Sequence, residues 1–199
     1  MKVQKLIPTS GIRKITQRIK SIRSCPSDCT VLNKSSRVMR AKNKSDCIQY
    51  AKIFMNSSSA NPNIRIPIIE KLGAFILGIN TPVKNLRIVK DGNNKIVGGY
   101  MSTMRTPEEF FISSLAVTNP GRSSKVLTKI YKDMVSAIRS NNSKTVSCLV
   151  SQDASYLVNL YKKLGFRIDD IADPLEFNIE HNKVLYHMTM NADDFCKIL

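Results

Sequence analysis

Glu109-Phe-Phe-Ile-Ser-Ser-Leu-Ala-Val117 is a run of mostly apolar and aromatic residues that predicts a β-strand. The polar, basic stretch 119–124 that follows it predicts a turn, and the apolar spacing of residues 125–139 predicts a helix. A second strand is predicted at 145–150 and a second helix at 154–164. A strand that leads through a tight turn into a helix N-terminus places backbone N–H groups where a phosphate can bind.

The second predicted helix ends in Leu160-Tyr161-Lys-Lys-Leu-Gly165-Phe166, and the first predicted strand ends in Leu115-Ala116-Val117. This arrangement resembles the GCN5-related N-acetyltransferase (GNAT) superfamily of acetyl-CoA-dependent acyltransferases. In that family a strand ending in Leu-x-Val leads to a pyrophosphate loop and a helix, and a later helix ends in Leu-Tyr-x-Lys-Leu-Gly-Phe. The resemblance covers the second half of the chain and extends back to about Ser36.

The predicted phosphate loop departs from the family pattern. When Arg122 is aligned with the family's Arg/Gln-x-x-Gly-x-Gly/Ala, Lys125 and Leu127 stand where small residues belong. Glycine is used where the backbone must approach a ligand closely. The departure therefore concerns cofactor binding more than the fold.

The resemblance implies a site for acetyl-CoA as cosubstrate. The pantetheine arm would pair with main-chain groups of the first strand, and the pyrophosphate would rest on N–H groups at the start of the next helix. The residues implied are Leu115, Ala116, Val117, Arg122, Ser123, Ser124, Lys125 and Val126. The alternative is a capped helix start whose charges are merely solvated.

Tyr161 is the catalytic candidate that the resemblance implies, in the role of general acid. Acyl transfer from a thioester expels a thiolate, and a phenol that is protonated at neutral pH can donate a proton to that sulfur. The alternative is structural, because Tyr161 shares an apolar stripe with Leu157, Leu160 and Leu164.

The general base is not identified by the sequence. Family members often carry a glutamate in the first strand, but Phe111, Ser113 and Leu115 occupy the corresponding positions here. Glu108 and Glu109 lie farther upstream and are expected to be exposed. His187 in the last predicted strand is another candidate, although a lone strand histidine is usually structural. We therefore expect a water relay or an unusual base.

The charge of the chain is concentrated at its start. The net charge is +16, and residues 1–45 carry twelve Lys or Arg against one acid, Asp28. We predict a basic N-terminal extension over 1–35 and an acyltransferase domain over 36–199. The extension is a candidate for binding nucleic acid or an anionic membrane, or for packing its isoleucine stripe on the domain.

Several protein classes are excluded by composition. No apolar run approaches the roughly 20 residues that span a bilayer, and no signal peptide is visible, so a cytoplasmic protein is predicted. Delivery into a host cell as a secreted effector is the alternative. Five cysteines without framework spacing and two histidines predict neither disulfides nor a metal site.

Further elements are predicted between the N-terminal extension and the first quoted strand. Asp46 is a candidate N-cap for a helix that carries Cys47 and Phe54, and an apolar helix is predicted from Pro67 to about Leu77. The run Asp91-Gly-Asn-Asn94 predicts a hairpin between two strands, and Gly98-Gly99 in the second of them indicates a bulge or a close backbone approach.

The order of predicted elements indicates an α/β fold with a mixed, mostly antiparallel sheet flanked by helices. The leading hypothesis is an acyl-CoA-dependent N-acyltransferase that transfers acetyl to a primary amine of unknown size. A non-catalytic binding module on the same fold, and an effector or toxin that acylates a macromolecule, are the alternatives. A homodimer is left open.

Overall fold

Seven β-strands and the helices around them make up the part of the chain that this structure, a computed structural model, describes: residues 37–58, 75–118, 124–172 and 184–198. The strands are β1 Val38–Arg40, β2 Leu86–Lys90, β3 Ile96–Thr106, β4 Glu109–Val117, β5 Thr145–Ser151, β6 Arg167–Ile171 and β7 Leu185–Asn191. The helices are α1 Lys44–Ser58, α2 (described over 75–80), α3 Ser124–Ser140, α4 Ser155–Leu164 and α5 Ala192–Phe195, with a 3₁₀ turn at Val83–Asn85.

The strands form one mixed sheet in the order β1-β2-β3-β4-β5-β7-β6. The β4–β5 pair is parallel, and the other neighbouring pairs among the described strands are antiparallel. A parallel pair needs a crossover connection, and α3 lies in the chain between β4 and β5. The predicted fold class is therefore confirmed.

Two apolar cores cover the two faces of the sheet. The larger core packs α3 and α4 against one face, and α3 contributes residues at helical spacing, namely Val126, Ile130, Met134 and Ile138. The smaller core packs α1 against the other face through Cys47 and Tyr50. Each fully buried aliphatic side chain stabilises the fold by roughly 1.5–3 kcal/mol. The two faces are called the α3 face and the α1 face below.

The predicted hairpin is confirmed between β2 and β3. The Asp91 carboxylate accepts hydrogen bonds from the N–H groups of Asn93 and Lys95, and Asn94 adopts φ of 63°. Gly98 and Gly99 are sites of close approach, as their sequence position predicted. A Cβ atom on Gly99 would lie 2.3 Å from the carbonyl oxygen of Arg87 on β2.

The start of α1 corrects one prediction. Asp46 is not the N-cap, because the helix begins at Lys44 and the Asn43 side chain accepts the hydrogen bond from the Asp46 N–H at 3.0 Å. The Asp46 carboxylate instead accepts from the Lys42 N–H at 2.8 Å and pairs with Lys90 at 2.9 Å. Asp46 therefore ties the helix start to β2.

Several predictions concern residues that the structure does not describe. Residues 1–36, the turn 119–123 and most of the helix predicted at 67–77 lie outside the described ranges. The boundary at residue 35 and the partners of the basic extension thus stay predictions. In the described part, no helix is long and apolar enough to cross a membrane.

Candidate active site

The parallel strands β4 and β5 separate part-way along their length. Cα partners run from Glu109 with Thr145 to Ile112 with Cys148, and within the described residues the pairing stops there. Beyond this point β4 continues along β3 to Val117, while β5 continues along β7 to Ser151. The two strands thus leave a cleft between them, called the β4–β5 cleft below.

A β-bulge on β4 coincides with the point of separation. Met101 pairs with Ser114 and Ser102 pairs with Ile112, so Ser113 is an extra residue on β4. A bulge bends the strand that carries it and increases the local twist. The bulge at Ser113 therefore helps to turn β4 away from β5, and it leaves the following residues of β4 without a ladder partner on the cleft side.

The cleft side of β4 offers main-chain groups and one exposed apolar side chain. In a strand that is paired on one edge, every second residue turns its N–H and C=O groups away from the partner strand. Within 113–117 of β4, these alternate groups point away from β3 and towards the cleft. Leu115 is 39% exposed, whereas Ala116 is buried on the α1 face and Val117 on the α3 face. An extended ligand could add to this open edge as a further strand would.

The helix α3 begins shortly after the cleft edge of β4. Its first residues are Ser124, Lys125 and Val126, and Val126 is buried next to Val117 on the larger core. The first N–H groups of a helix have no intrahelical acceptor, so they are available to an anion. Lys125 is exposed and Leu127 is 37% exposed. Lys125 and Leu127 stand where the family has small residues, and their side chains are therefore not buried inside the cleft.

Tyr161 lies on the α3 face beside the last paired residue of β5. Burial chiefly, with Cys148 as a nearby group, raises the pKa of the phenol far above its ordinary value of 10.0. The ring packs edge-on against Phe166 at 5.2 Å between ring centres. Gly165, with φ of 105°, ends α4 and lets the Phe166 N–H donate to the Tyr161 carbonyl oxygen at 3.0 Å.

The Tyr161 side chain is partly buried. Its hydroxyl group makes no hydrogen bond to any residue of the described ranges. A phenol that is protonated and lies beside the cleft has the properties of a proton donor.

A cluster of four polar side chains lies on the α1 face at the base of the cleft. It consists of Arg105 on β3, Glu109 on β4, Ser147 on β5 and His187 on β7, and we call it the Glu109 cluster. Oε1 of Glu109 lies 3.1 Å from Nη1 of Arg105 and 3.4 Å from Nε2 of His187, and it accepts a hydrogen bond from the Ser147 hydroxyl. Nη1 of Arg105 is 3.3 Å from Nε2 of His187.

The Glu109 cluster corrects the interpretation of the two glutamates. Glu108 is exposed as expected, with 56% of its side chain accessible and an ion pair to Lys144. Glu109 is not exposed: its side chain is 15% accessible, and that of His187 is 14% accessible. His187 is likewise not a lone strand histidine. The parallel pairing of β4 with β5 brings these residues together, and the sequence contains no local signal for that pairing.

A hydroxyl contact links α1 to the bulged part of β4. The Tyr50 hydroxyl lies 2.9 Å from the Ser114 Oγ, one residue beyond the bulge. Burial raises the pKa of Tyr50 well above its ordinary value of 10.0. Its phenol therefore stays neutral and fixes the α1 side of the cleft wall.

Other chemistry is not supported in the described residues. Cys47 and Cys148 are buried free thiols, and burial raises the pKa of Cys148 to about 12. Within the described ranges no group of three or more His, Cys, Asp or Glu residues could hold a metal ion. A Cys nucleophile would need a thiolate, which Cys148 does not supply at neutral pH.

Known structures are similar to this one in fold. The crystal structure of Ard1 from Thermoplasma volcanium matches it with a TM-score of 0.56 at 18% identity over 79% of this chain and 97% of that one. The GNAT-family acetyltransferase from Bacillus anthracis gives a TM-score of 0.52 at 12% identity over 80% of this chain and 98% of that one. This chain has the GNAT acetyltransferase fold. The fold that the sequence resemblance implied is thus confirmed.

A third similar GNAT-fold structure is the ribosomal-protein-S18-alanine N-acetyltransferase from Escherichia coli, with a TM-score of 0.53 at 10% identity over 79% of this chain and 94% of that one. No family model matches the sequence, and no curated protein matches it. At these identities the likeness concerns the fold, so activity has to be argued from the residues of this chain.

The GNAT fold brings most of the sequence-predicted site residues to the β4–β5 cleft. Leu115, Ala116 and Val117 form its β4 edge, and Ser124, Lys125 and Val126 begin the helix beyond it. Tyr161 lies at its base. Arg122 and Ser123 lie outside the described residues, so their part in a phosphate site stays a prediction.

Proposed function

We propose that this protein is an acyl-CoA-dependent N-acyltransferase that transfers acetyl from acetyl-CoA to a primary amine by direct attack on the thioester. The separation of β4 from β5 after Ile112 and Cys148 is the observation that carries this proposal. It opens a strand edge that leads towards the N-terminus of α3, and a protonated tyrosine lies at its base.

The cosubstrate would bind along the open edge of β4. The amide groups of its pantetheine arm would pair with main-chain groups of Leu115 and Val117, and the exposed Leu115 side chain would cover part of the arm. The pyrophosphate would rest on the free N–H groups at 124–126. The Lys125 charge would add a favourable interaction with the phosphates.

The chemical step would be a single displacement through a tetrahedral intermediate. The neutral amine nitrogen attacks the thioester carbonyl carbon, so a C–N bond forms and the C–S bond breaks. The amine gives up one proton to water in the cleft, and the departing CoA thiolate takes one proton from the Tyr161 hydroxyl. Tyr161 then regains its proton from water, so no net proton is gained or lost.

Catalysis would depend chiefly on positioning. Two reactants held in the same cleft gain from proximity, and main-chain N–H groups near the bulge of β4 can stabilise the oxyanion of the intermediate. The raised pKa of Tyr161 keeps the phenol protonated throughout the neutral range, so the proton needed by the thiolate is present in the resting protein.

Isothermal titration calorimetry of the purified full chain with acetyl-CoA tests the proposal. We expect saturable binding at micromolar ligand, and native mass spectrometry of the same preparation should show a one-to-one CoA complex. ATP is the control ligand, because it carries phosphates but no pantetheine arm and should bind more weakly. The absence of acetyl-CoA binding by folded protein at high micromolar ligand would overturn the proposal.

Equal affinities for ATP and acetyl-CoA would also contradict it. A chain with net charge +16 attracts polyanions without a specific site, and that attraction is screened by salt. Binding through the β4–β5 cleft should therefore persist at about 0.3 M salt, whereas unspecific attraction should be largely lost.

A further inference from the structure

The outward side of α3 carries a row of positive charges that the proposed chemistry does not use. Lys129, Lys132 and Arg139 follow Lys125 along the helix at intervals of four, three and seven residues. Residues at such intervals project from the same side of a helix, because 3.6 residues make one turn. The buried residues of α3 lie on the opposite side and pack into the larger core. We call Lys129, Lys132 and Arg139 the α3 stripe.

Acidic side chains of α3 do not balance this stripe. Asp133 is the one acid in the sequence of the helix, and its carboxylate accepts a hydrogen bond from the Tyr100 hydroxyl on β3 at 2.7 Å. Within the described residues, the side chains of Lys132 and Arg139 form neither an ion pair nor a hydrogen bond. Like charges three or four residues apart destabilise a helix. The α3 stripe therefore adds charge at some cost to helix stability.

Two arginines extend the positive surface from α3 to the edge of the sheet. Arg40 on β1 and Arg87 on β2 are direct cross-strand partners. They project from the α3 face, because Val38 and Val89, two residues away on the same strands, pack into the larger core. Arg87 is also the cross-strand partner of Tyr100, whose hydroxyl reaches α3. We call the α3 stripe together with Arg40 and Arg87 the basic α3 surface. Like charges directly opposite each other destabilise a sheet, so this pair has no stabilising role of its own.

A groove runs along the second half of the α3 stripe. It has a volume of about 430 Å³, and its lining includes Lys132, Ser136, Arg139 and Ser140, all of which are exposed. A second cavity, of about 520 Å³, shares Arg139 with the groove and extends to Lys144. Hydroxyl groups and cationic side chains are the groups that contact phosphate oxygens in nucleic-acid complexes. The groove thus presents phosphate-binding side chains along the helix.

The composition of this surface distinguishes between anionic partners. A helix that binds a membrane presents apolar side chains to the lipid, but most apolar residues of α3 are packed into the core. Protein interfaces are depleted in lysine and serine, which are prominent here. Single-stranded nucleic acid stacks its bases on aromatic side chains, and Tyr131, the one aromatic residue in the sequence of α3, packs its ring on Phe195. These comparisons favour the phosphate backbone of a duplex.

We propose that the basic α3 surface is a docking site for a nucleic-acid duplex, which it binds through the phosphate backbone rather than through base sequence. Lys132 and Arg139 are its central contacts, and Arg40 and Arg87 extend it at the sheet edge. A lysine or arginine that neutralises a phosphate releases condensed counterions, whatever the base attached to that phosphate. Lys132 lies about two turns beyond Lys125, away from the β4–β5 cleft, so the proposal does not rest on the proposed function.

Fluorescence anisotropy of the full chain with a labelled DNA duplex of about 20 base pairs measures the docking. The logarithm of the affinity falls linearly with the logarithm of the salt concentration, with a slope of about −0.9 for each phosphate neutralised. Lys132→Gln/Arg139→Gln removes two contacts, so the slope should become shallower by about 1.8. A duplex RNA of the same sequence is the second probe, and the duplex with the larger change in slope identifies the kind of nucleic acid.

A matched variant controls for net charge. Lys52→Gln/Lys95→Gln removes the same charge from two exposed lysines, one on α1 and one in the β2–β3 turn, and should leave the slope nearly unchanged. The basic residues of 1–36 also attract a duplex. Both double variants retain these residues, so their contribution cancels in the comparison. Equal changes of slope in the two variants would show diffuse attraction to a chain of net charge +16 and would overturn the proposal.

Lysine modification gives a second readout. A saturating duplex should protect Lys132 from an amine-reactive ester, as read by mass spectrometry, and should leave Lys52 as reactive as in the free protein. Full reactivity of Lys132 in the presence of the duplex would refute its place in the contact.

Vesicles of phosphatidylserine and phosphatidylcholine in equal parts test the competing partner. Vesicle binding that is lost in Lys132→Gln/Arg139→Gln, with duplex binding unchanged, would assign the surface to a membrane and overturn the proposal. Acetyl-CoA affinity should be the same in wild type and in this variant. The proposed function and the docking site therefore fail or stand in separate measurements.

Discussion

The Ser147 hydroxyl on β5 donates a hydrogen bond to Oε1 of Glu109 on β4, and it does so beside the last paired residues of these parallel strands. Ser147 is completely buried, so the bond satisfies a polar group that would otherwise be costly to bury. It also fixes one oxygen of the carboxylate. The base of the cleft is thus held together by a contact between strands that are distant in sequence.

Tyr161→Phe should lower kcat by roughly a hundredfold, the lower end of the range for losing a general acid. The ring still packs against Phe166, so acetyl-CoA affinity and the melting temperature should be nearly unchanged. The measurement is release of the CoA thiol in the presence of an accepted amine, with calorimetry for binding. Tyr156→Phe on the same helix is the control, since Tyr156 is 76% exposed. Equal activity of the two variants would refute the role of Tyr161.

Lys125→Glu should weaken acetyl-CoA binding by about three- to tenfold at low salt. The substitution reverses a charge in the first turn of α3, where the helix dipole and the free N–H groups would meet the pyrophosphate. Lys132→Glu lies two turns farther along the same helix and is also exposed, so it should change affinity much less. Calorimetry at two salt concentrations measures both. A similar loss in both variants would indicate only long-range charge attraction.

Asp46→Asn should lower the free energy of unfolding at neutral pH by about 2 kcal/mol. Burial alone would raise the pKa of Asp46, but the Lys42 N–H and the Lys90 ammonium outweigh it and hold the pKa below the ordinary 3.8. A lowered pKa gives stability that is complete above 3.8 and is lost as the pH falls through the folded-state value. The difference between wild type and variant should therefore shrink in acid.

Urea unfolding of Asp46→Asn between pH 7 and pH 2.5 measures this difference. Asp153→Asn, in an exposed turn, is the control and should stay within about 0.5 kcal/mol of wild type at each pH. A constant difference between wild type and Asp46→Asn over the whole range would contradict the charge-dependent contribution of Asp46.

Gly165→Ala should destabilise the fold by about 1–2 kcal/mol, because Gly165 has φ of 105° and a side chain there is strained. The new Cβ atom would also lie 3.1 Å from Met190 Cε. Gly92→Ala in the β2–β3 turn is the control, since φ of Gly92 is not positive. Chemical denaturation measures both. Equal stability of the two variants would show that the end of α4 tolerates another conformation.

Local sequence patterns correctly predicted those elements whose stabilising contacts lie between residues close together in sequence. The apolar stripe of α3 and the Asp91 turn are formed by neighbours in sequence, and both lie where they were predicted. The cap of α1 was assigned wrongly, because Asn43 and Asp46 are both residue types that cap helices. In the structure the Asn43 side chain accepts from the Asp46 N–H, and the Asp46 carboxylate pairs with Lys90 on β2 instead.

The amino-acid sequence by itself determined the α/β fold, the strand that ends at Val117 and the helix that ends at Gly165. These depend on periodicity, glycine and turn chemistry, which act over a few residues. The Glu109 cluster was decided by tertiary structure alone. Arg105, Glu109, Ser147 and His187 belong to four strands, and only the order and pairing of those strands bring their side chains within hydrogen-bond distance.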